Sequence, residues 1–166
     1  IDLASYTGRK TDRGHSLRLI RGLGYDWQSI QFGEASEAAV DPAGRNAPRF
    51  EYRFGRVAAD SVNVTVYSLP VFPLFKGRGT RFGVSVDGSS TAAAENIQKE
   101  FSTGWKDQVL RNSAIFTTSF RVDSSLREHP LTLSCGDPGM IIQKVVIDWG
   151  GLKKTYAGPR AGDAIH

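Results

Sequence analysis

Apolar and polar residues alternate with a period of two along most of this chain. In Ser61-Val62-Asn63-Val64-Thr65-Val66-Tyr67 three valines fall on one side, and Asn63, Thr65 and Tyr67 on the other, as a half-buried strand requires. Arg81-Phe82-Gly83-Val84-Ser85-Val86-Asp87 repeats the pattern, and Asp87-Gly88 closes it with a strong turn signal. Arg49-Phe50-Glu51-Tyr52-Arg53-Phe54 sets charge against aromatic rings. Further strands are predicted over 17–20, 29–32, 113–122, 130–134 and 140–149, with Asp137-Pro138-Gly139 turning between the last two. Trp149 shares strand parity with Ile141, Val145 and Ile147, which assigns it to the core. One short helix is predicted over 104–111, with Trp105, Val109 and Leu110 packed inward.

Half-buried strands at this spacing, separated by glycine turns, predict an all-β fold: an antiparallel two-sheet β-sandwich, jelly-roll-like, with one short helix. The 166 residues, with 18 glycines and 7 prolines, fit one domain over 1–159 followed by a flexible tail over 160–166. No run approaches the roughly 18 apolar residues of a membrane span, so no membrane partner is expected.

Charge and chemistry narrow the function classes. The net charge of +4 is concentrated near the N-terminus in Arg9, Lys10, Arg13, Arg18 and Arg21. Such an excess suits an anionic partner, but no basic helix, finger spacing or RNA-binding motif accompanies it, so no nucleic acid is expected. A single cysteine, Cys135, excludes an internal disulfide and a cysteine-based zinc site. It reads as a small buried residue at a strand end. The histidines 15, 129 and 166 have no metal-ligand spacing, and no nucleophile elbow or phosphate loop is present. Asp87, Asp137 and Asp148 stand at turns or strand ends, where aspartate is commonly structural. No catalytic residue, metal or cofactor is expected.

The closing segment Asp137-Pro138-Gly139-Met140-Ile141-Ile142-Gln143-Lys144-Val145-Val146-Ile147-Asp148-Trp149-Gly150-Gly151 resembles the C-terminal domain of glycoside hydrolase family 115, the xylan α-1,2-glucuronidases. Pro48-Arg49-Phe50-Glu51-Tyr52, Tyr67-Ser68-Leu69-Pro70-Val71-Phe72-Pro73, Gly77-Arg78-Gly79-Thr80-Arg81-Phe82 and Trp105-Lys106-Asp107-Gln108-Val109-Leu110 are similar to it in the same order. The resemblance implies a sandwich like those of carbohydrate-binding modules, at the end of a large secreted or periplasmic bacterial enzyme whose catalytic residues lie in other domains. It also implies partners: xylan or glucuronoxylan, and the parent enzyme's other domains. Leu3-Ala4-Ser5-Tyr6 departs from the family's usual opening segment and from the calcium-binding edge of some sugar-binding sandwiches.

Sugar recognition needs exposed aromatic rings and fixed polar groups. The expected ligand-binding residues are Tyr25, Trp27, Gln28, Arg18, Arg21 and Tyr156, with Asp26 beside them to bond hydroxyls. Arginine suits a uronate carboxylate because its planar fork binds carboxylates bidentately. Trp27 reads equally as a sugar platform or as an anchor at the edge of the core. A structural role is the alternative: Leu69-Pro70-Val71-Phe72-Pro73-Leu74-Phe75 is too apolar for an ordinary loop, and its prolines forbid a central strand. It either folds over one end of the core or docks on a neighbouring domain or subunit through Val71, Phe72, Leu74 and Phe75.

Overall fold

A computed structural model of the chain describes residues 1–153, 155 and 157–160. The tail expected over 160–166 falls, apart from Arg160, outside the described residues. In chain order the elements are β1 (Gly8–Lys10), β2 (Leu17–Arg21), β3 (Gln28–Phe32), β4 (Arg49–Gly55), β5 (Ser61–Ser68), β6 (Thr80–Val86), β7 (Ala92–Asn96), α1 (Thr103–Arg111), β8 (Ala114–Arg121), β9 (Glu128–Cys135) and β10 (Met140–Asp148). They form two five-stranded antiparallel sheets, ordered β1-β4-β9-β6-β7 and β2-β3-β10-β5-β8.

The alternation is what closes the sandwich. From one sheet Phe50, Tyr52, Phe82, Val84, Val86, Leu131 and Leu133 point inward; from the other come Ile30, Phe32, Val62, Val64, Val66, Met140, Ile142 and Val145, and all are buried. Phe50 contacts Tyr6, Phe32 and Tyr52 at centroid distances of 5.3, 6.0 and 6.5 Å. Cys135 lies fully buried at the end of β9, and burial pushes its thiol up to about 12. The expected β-sandwich with one short helix is therefore found.

Two expectations about packing are corrected. The helix begins where the Ser102 hydroxyl accepts from the Trp105 amide at 3.2 Å, and it ends at Asn112 in the left-handed region. However, it buries none of its residues: Val109 is 48% and Leu110 79% exposed. It is tied down by polar contacts instead, the paired side-chain amides of Asn96 and Gln108 at 2.9 and 3.1 Å. Trp149 is 42% exposed, because β10 ends at Asp148, just before Gly150 and Gly151 with φ of 123° and 86°. A β-bulge between Ile142 and Lys144 also shifts the parity of β10. Met140 and Ile142 face the core before it, Val145 and Ile147 after it, and Ile141 falls on the outer face.

Candidate functional site

The connection between β2 and β3 is a hairpin loop, Gly22 to Trp27, closed by the Gly22 amide donating to the Trp27 carbonyl at 2.8 Å. Its shape depends on Gly24, with φ of 87°. A Cβ there would lie 2.7 Å from Ser29 Oγ and 2.8 Å from Gln143 Cβ, so only glycine lets the loop lie flat on the outer face of β3 and β10. Ser29 Oγ then donates to the Leu23 carbonyl at 3.0 Å.

Three side chains brace the loop from beneath. Tyr25 sets its ring edge-on against Tyr67 at 6.2 Å, and its hydroxyl donates to the Arg111 carbonyl at 2.6 Å. Asp26 does not point outward to bond a ligand: its carboxylate lies 3.2 Å from Lys144 Nζ. That ammonium also lies 5.4 Å from the Tyr25 ring centroid.

On this braced loop Trp27 is 73% exposed. Its φ is 59°, a left-handed backbone that a bulky side chain rarely adopts. The reading of Trp27 as an edge-of-core anchor is thereby excluded. The β2–β3 register sets Arg21 directly opposite Gln28, at the foot of the loop and next to Trp27 in the chain. Arg21 is exposed, and the half-buried Gln28 keeps Oε1 buried without a hydrogen-bond partner among the described residues. Parity turns Gln28, and Arg21 opposite it, toward the core side with Ile30 and Leu19, whereas the loop lies on the outer face, so it is the exposed Trp27 ring that equips the loop itself for stacking on a sugar.

Arg18 is committed to an ion pair. Three positions from Arg21 in β2, its side chain leaves the opposite face of the strand, and it pairs with Glu34. Tyr25 is half-buried and braces the loop, and Tyr156 lies outside the described residues. What sequence reasoning missed here is Lys144. The polar pair Gln143-Lys144, interrupting the apolar run of β10, was its one visible signal.

The apolar segment between β5 and β6 is the second candidate. Phe72 and Leu74 are 68% and 51% exposed, whereas Val71 is half-buried. Phe75 is half-buried beneath the Arg78 guanidinium, 4.3 Å from its ring centroid. Arg78 also reaches the buried Asp137 at 2.5 Å, which Arg81 approaches at 3.3 Å. Burial alone would raise the Asp137 carboxyl, but the hydrogen bonds from Arg78 and Arg81 outweigh it and hold the group below the usual carboxylate range. This aspartate is structural, as its position at a turn suggested. Among the described residues no group of three histidine, cysteine, aspartate or glutamate side chains is arranged to hold a metal ion.

The family model described as the glycosyl hydrolase family 115 C-terminal domain matches residues 1–161. Among solved structures, a family 115 4-O-methyl-α-glucuronidase described as specific for decorated arabinogalactans is similar at 26% identity and a TM-score of 0.66. The match covers 88% of this chain and 18% of that one, so this chain spans less than a fifth of the enzyme. A family 35 carbohydrate-binding module from an environmental isolate matches at 9% identity and a TM-score of 0.55, over 89% of this chain and 88% of the module. One from Paenibacillus barcinonensis matches at 9% identity and a TM-score of 0.52, over 88% of this chain and 96% of the module. These two likenesses concern the fold. No curated protein sequence matches the chain.

Proposed function

The chain belongs to the glycosyl hydrolase family 115 C-terminal domains, and on that premise we propose that it is a non-catalytic, polysaccharide-binding accessory domain whose site is the Trp27 hairpin. Its ligand is a plant cell-wall polysaccharide, glucuronoxylan first. The observation that carries this reading is Trp27 itself: a large ring left 73% exposed on a backbone with φ of 59°. Strained backbone persists where surrounding structure over-determines it, and it clusters at functional positions. Here Gly24, Tyr25 and Asp26 supply that support. Arg21, an exposed guanidinium at the foot of the hairpin, is the residue to which this reading assigns a uronate carboxylate.

Affinity gel electrophoresis of the chain in glucuronoxylan, unsubstituted xylan, arabinogalactan and plain gels tests the proposal. Retardation by at least one polysaccharide is expected. Arg21→Ala should lose preference for the uronate-bearing gel while keeping residual retardation. Unchanged mobility in all three polysaccharide gels would remove the binding role.

A second reading rests on a different observation, the exposed Phe72 and Leu74. Apolar side chains side by side on a surface segment mark docking sites, and this segment then packs on another domain of the parent enzyme or on a second subunit. In a chain carrying those neighbours, Phe72→Ser with Leu74→Ser would loosen domain packing or dimerisation and leave polysaccharide retardation intact.

A further inference from the structure

Lys144 is 3% exposed, and the three hydrogens of its ammonium group have three acceptors. These are Asp26 Oδ2 at 3.2 Å, the Ala157 carbonyl at 3.1 Å and the Pro159 carbonyl at 2.7 Å. One acceptor belongs to the Trp27 loop and two belong to the segment that follows β10. Between the two carbonyls lies Gly158, with φ of 70°, where an added Cβ would stand 3.0 Å from the Tyr67 hydroxyl. Tyr67 is also the residue on which the Tyr25 ring rests. The loop and the 157–159 segment therefore meet over the same cation and the same phenol, although they are more than 120 residues apart in sequence.

A buried ammonium is stable only while its partners stay in place, and losing part of the set leaves charge without compensation. If the 157–159 segment leaves, Lys144 keeps Asp26 as its one charged partner among the described residues and gains access to water. The pull that holds Asp26 against β10 then weakens, and the strained residue beside it, Trp27, is free to relax out of the left-handed region.

We propose that Lys144 is a positioning residue that couples docking of the 157–159 segment to the conformation of the Trp27 loop, so that this segment controls polysaccharide binding without touching the ligand. The binding half of the statement rests on the reading of Trp27 as a sugar platform; the coupling half does not. Hydrogen exchange measured by mass spectrometry on the whole chain tests the coupling without any sugar. Gly158→Val displaces the segment, and it is made in a Tyr67→Phe background to remove the hydroxyl that the new Cβ would meet and so spare the phenol on which Tyr25 rests. At least tenfold faster exchange is expected in peptides covering 157–160 and also in those covering 22–27, with β5 and β8 unchanged. Lys144→Met should reproduce both changes, and Lys144→Arg, which keeps a cation, should restore part of the protection over 22–27. Should Lys144→Met fail to fold, Gly158→Val in the Tyr67→Phe background decides, compared with Tyr67→Phe alone.

Faster exchange confined to 157–160 in Gly158→Val would overturn the coupling. With the coupling in place, Gly158→Val should also weaken retardation by glucuronoxylan tenfold or more. Unaltered retardation in that variant would overturn control of binding. A wild-type chain that no polysaccharide retards would end the sugar-platform reading, and control of binding with it, and leave the coupling to stand on the exchange result.

Discussion

The Asp87 carboxylate lies 2.8 Å from Nδ1 of His129, an imidazole with no exposed surface that stacks on Phe54 at a centroid distance of 5.1 Å. The pair pins the end of β6 to β9 inside the sandwich. Asp87 holds φ of 53°, which aspartate and asparagine tolerate better than most residues. Removing the carboxylate strands a buried polar ring whose Nε2 already has no hydrogen-bond partner among the described residues. Asp87→Ala is therefore expected to cost about 1–3 kcal/mol, and Asp87→Asn less than about 1 kcal/mol. Urea denaturation of the two variants measures the difference, and losses near zero in both would show that the hydrogen bond contributes nothing.

Asp137 predicts how the fold responds to acid. Its carboxyl is held below the usual range, so the stability it contributes is fully present above the unfolded value of about 3.9 and is lost as pH falls through the lower folded value. The gap in melting temperature between the wild-type chain and Asp137→Asn should be widest near neutral pH and should shrink as pH drops below about 4. The stability lost in Asp137→Asn near neutral pH should fall below the roughly 3–5 kcal/mol of a fully buried pair, because the Arg78 and Arg81 side chains are 27% and 29% exposed. Thermal melts from pH 7 to pH 3 read both features. A gap independent of pH would contradict the assignment.

Cys135 should behave as an inert core atom. With the thiol fully buried and pushed up to about 12 by that burial, almost no thiolate exists at pH 8. Ellman's reagent is expected to leave the native chain unmodified for hours and to label one thiol promptly in 6 M guanidinium chloride. Rapid native labelling would show that the end of β9 opens far more readily than its packing implies.

The architecture was legible because period-two alternation is strong in β4, β5, β6 and β9, where valine, leucine and aromatic residues recur at every second position. The elements that escaped are those where this signal fails. β1 has three residues, two of them charged, and β7 is Ala-Ala-Ala-Glu-Asn, so neither shows an apolar face. The bulge at Gln143 and Lys144 misled the parity of Ile141, because a period of two carries no notice of an inserted residue. The helix misled for a related reason: a two-residue apolar pair at Val109 and Leu110 fits an inward face, but α1 is held by caps and amide pairs. At the site, the glycine-bounded loop setting of Trp27 was within reach of the chain's local order, but its exposure was not, because an aromatic ring in such a loop fits a core edge equally well. The roles of Lys144, Tyr67 and the 157–159 segment were not, because they arise from contacts between residues distant in sequence.

Trp27 also predicts a conflict between stability and binding. A left-handed backbone costs an L-residue with a side chain about 1–2 kcal/mol, and glycine escapes that cost. With its ring 73% exposed, Trp27 has little burial to lose. Trp27→Gly should therefore be about 1 kcal/mol more stable than Trp27→Ala and at least as stable as the wild-type chain. Thermal melts of the three proteins compare them, and a Trp27→Gly variant well below wild type would mean that the ring packs usefully on the fold.

The most direct test of the central claim is isothermal titration of the wild-type chain and Trp27→Ala with glucuronoxylan oligosaccharides, both proteins first checked for equal folding. The account predicts measurable binding by the wild-type chain and a loss of at least tenfold in Trp27→Ala, about 1.4 kcal/mol. Binding that survives the substitution unchanged would contradict it and move the site away from the β2–β3 hairpin.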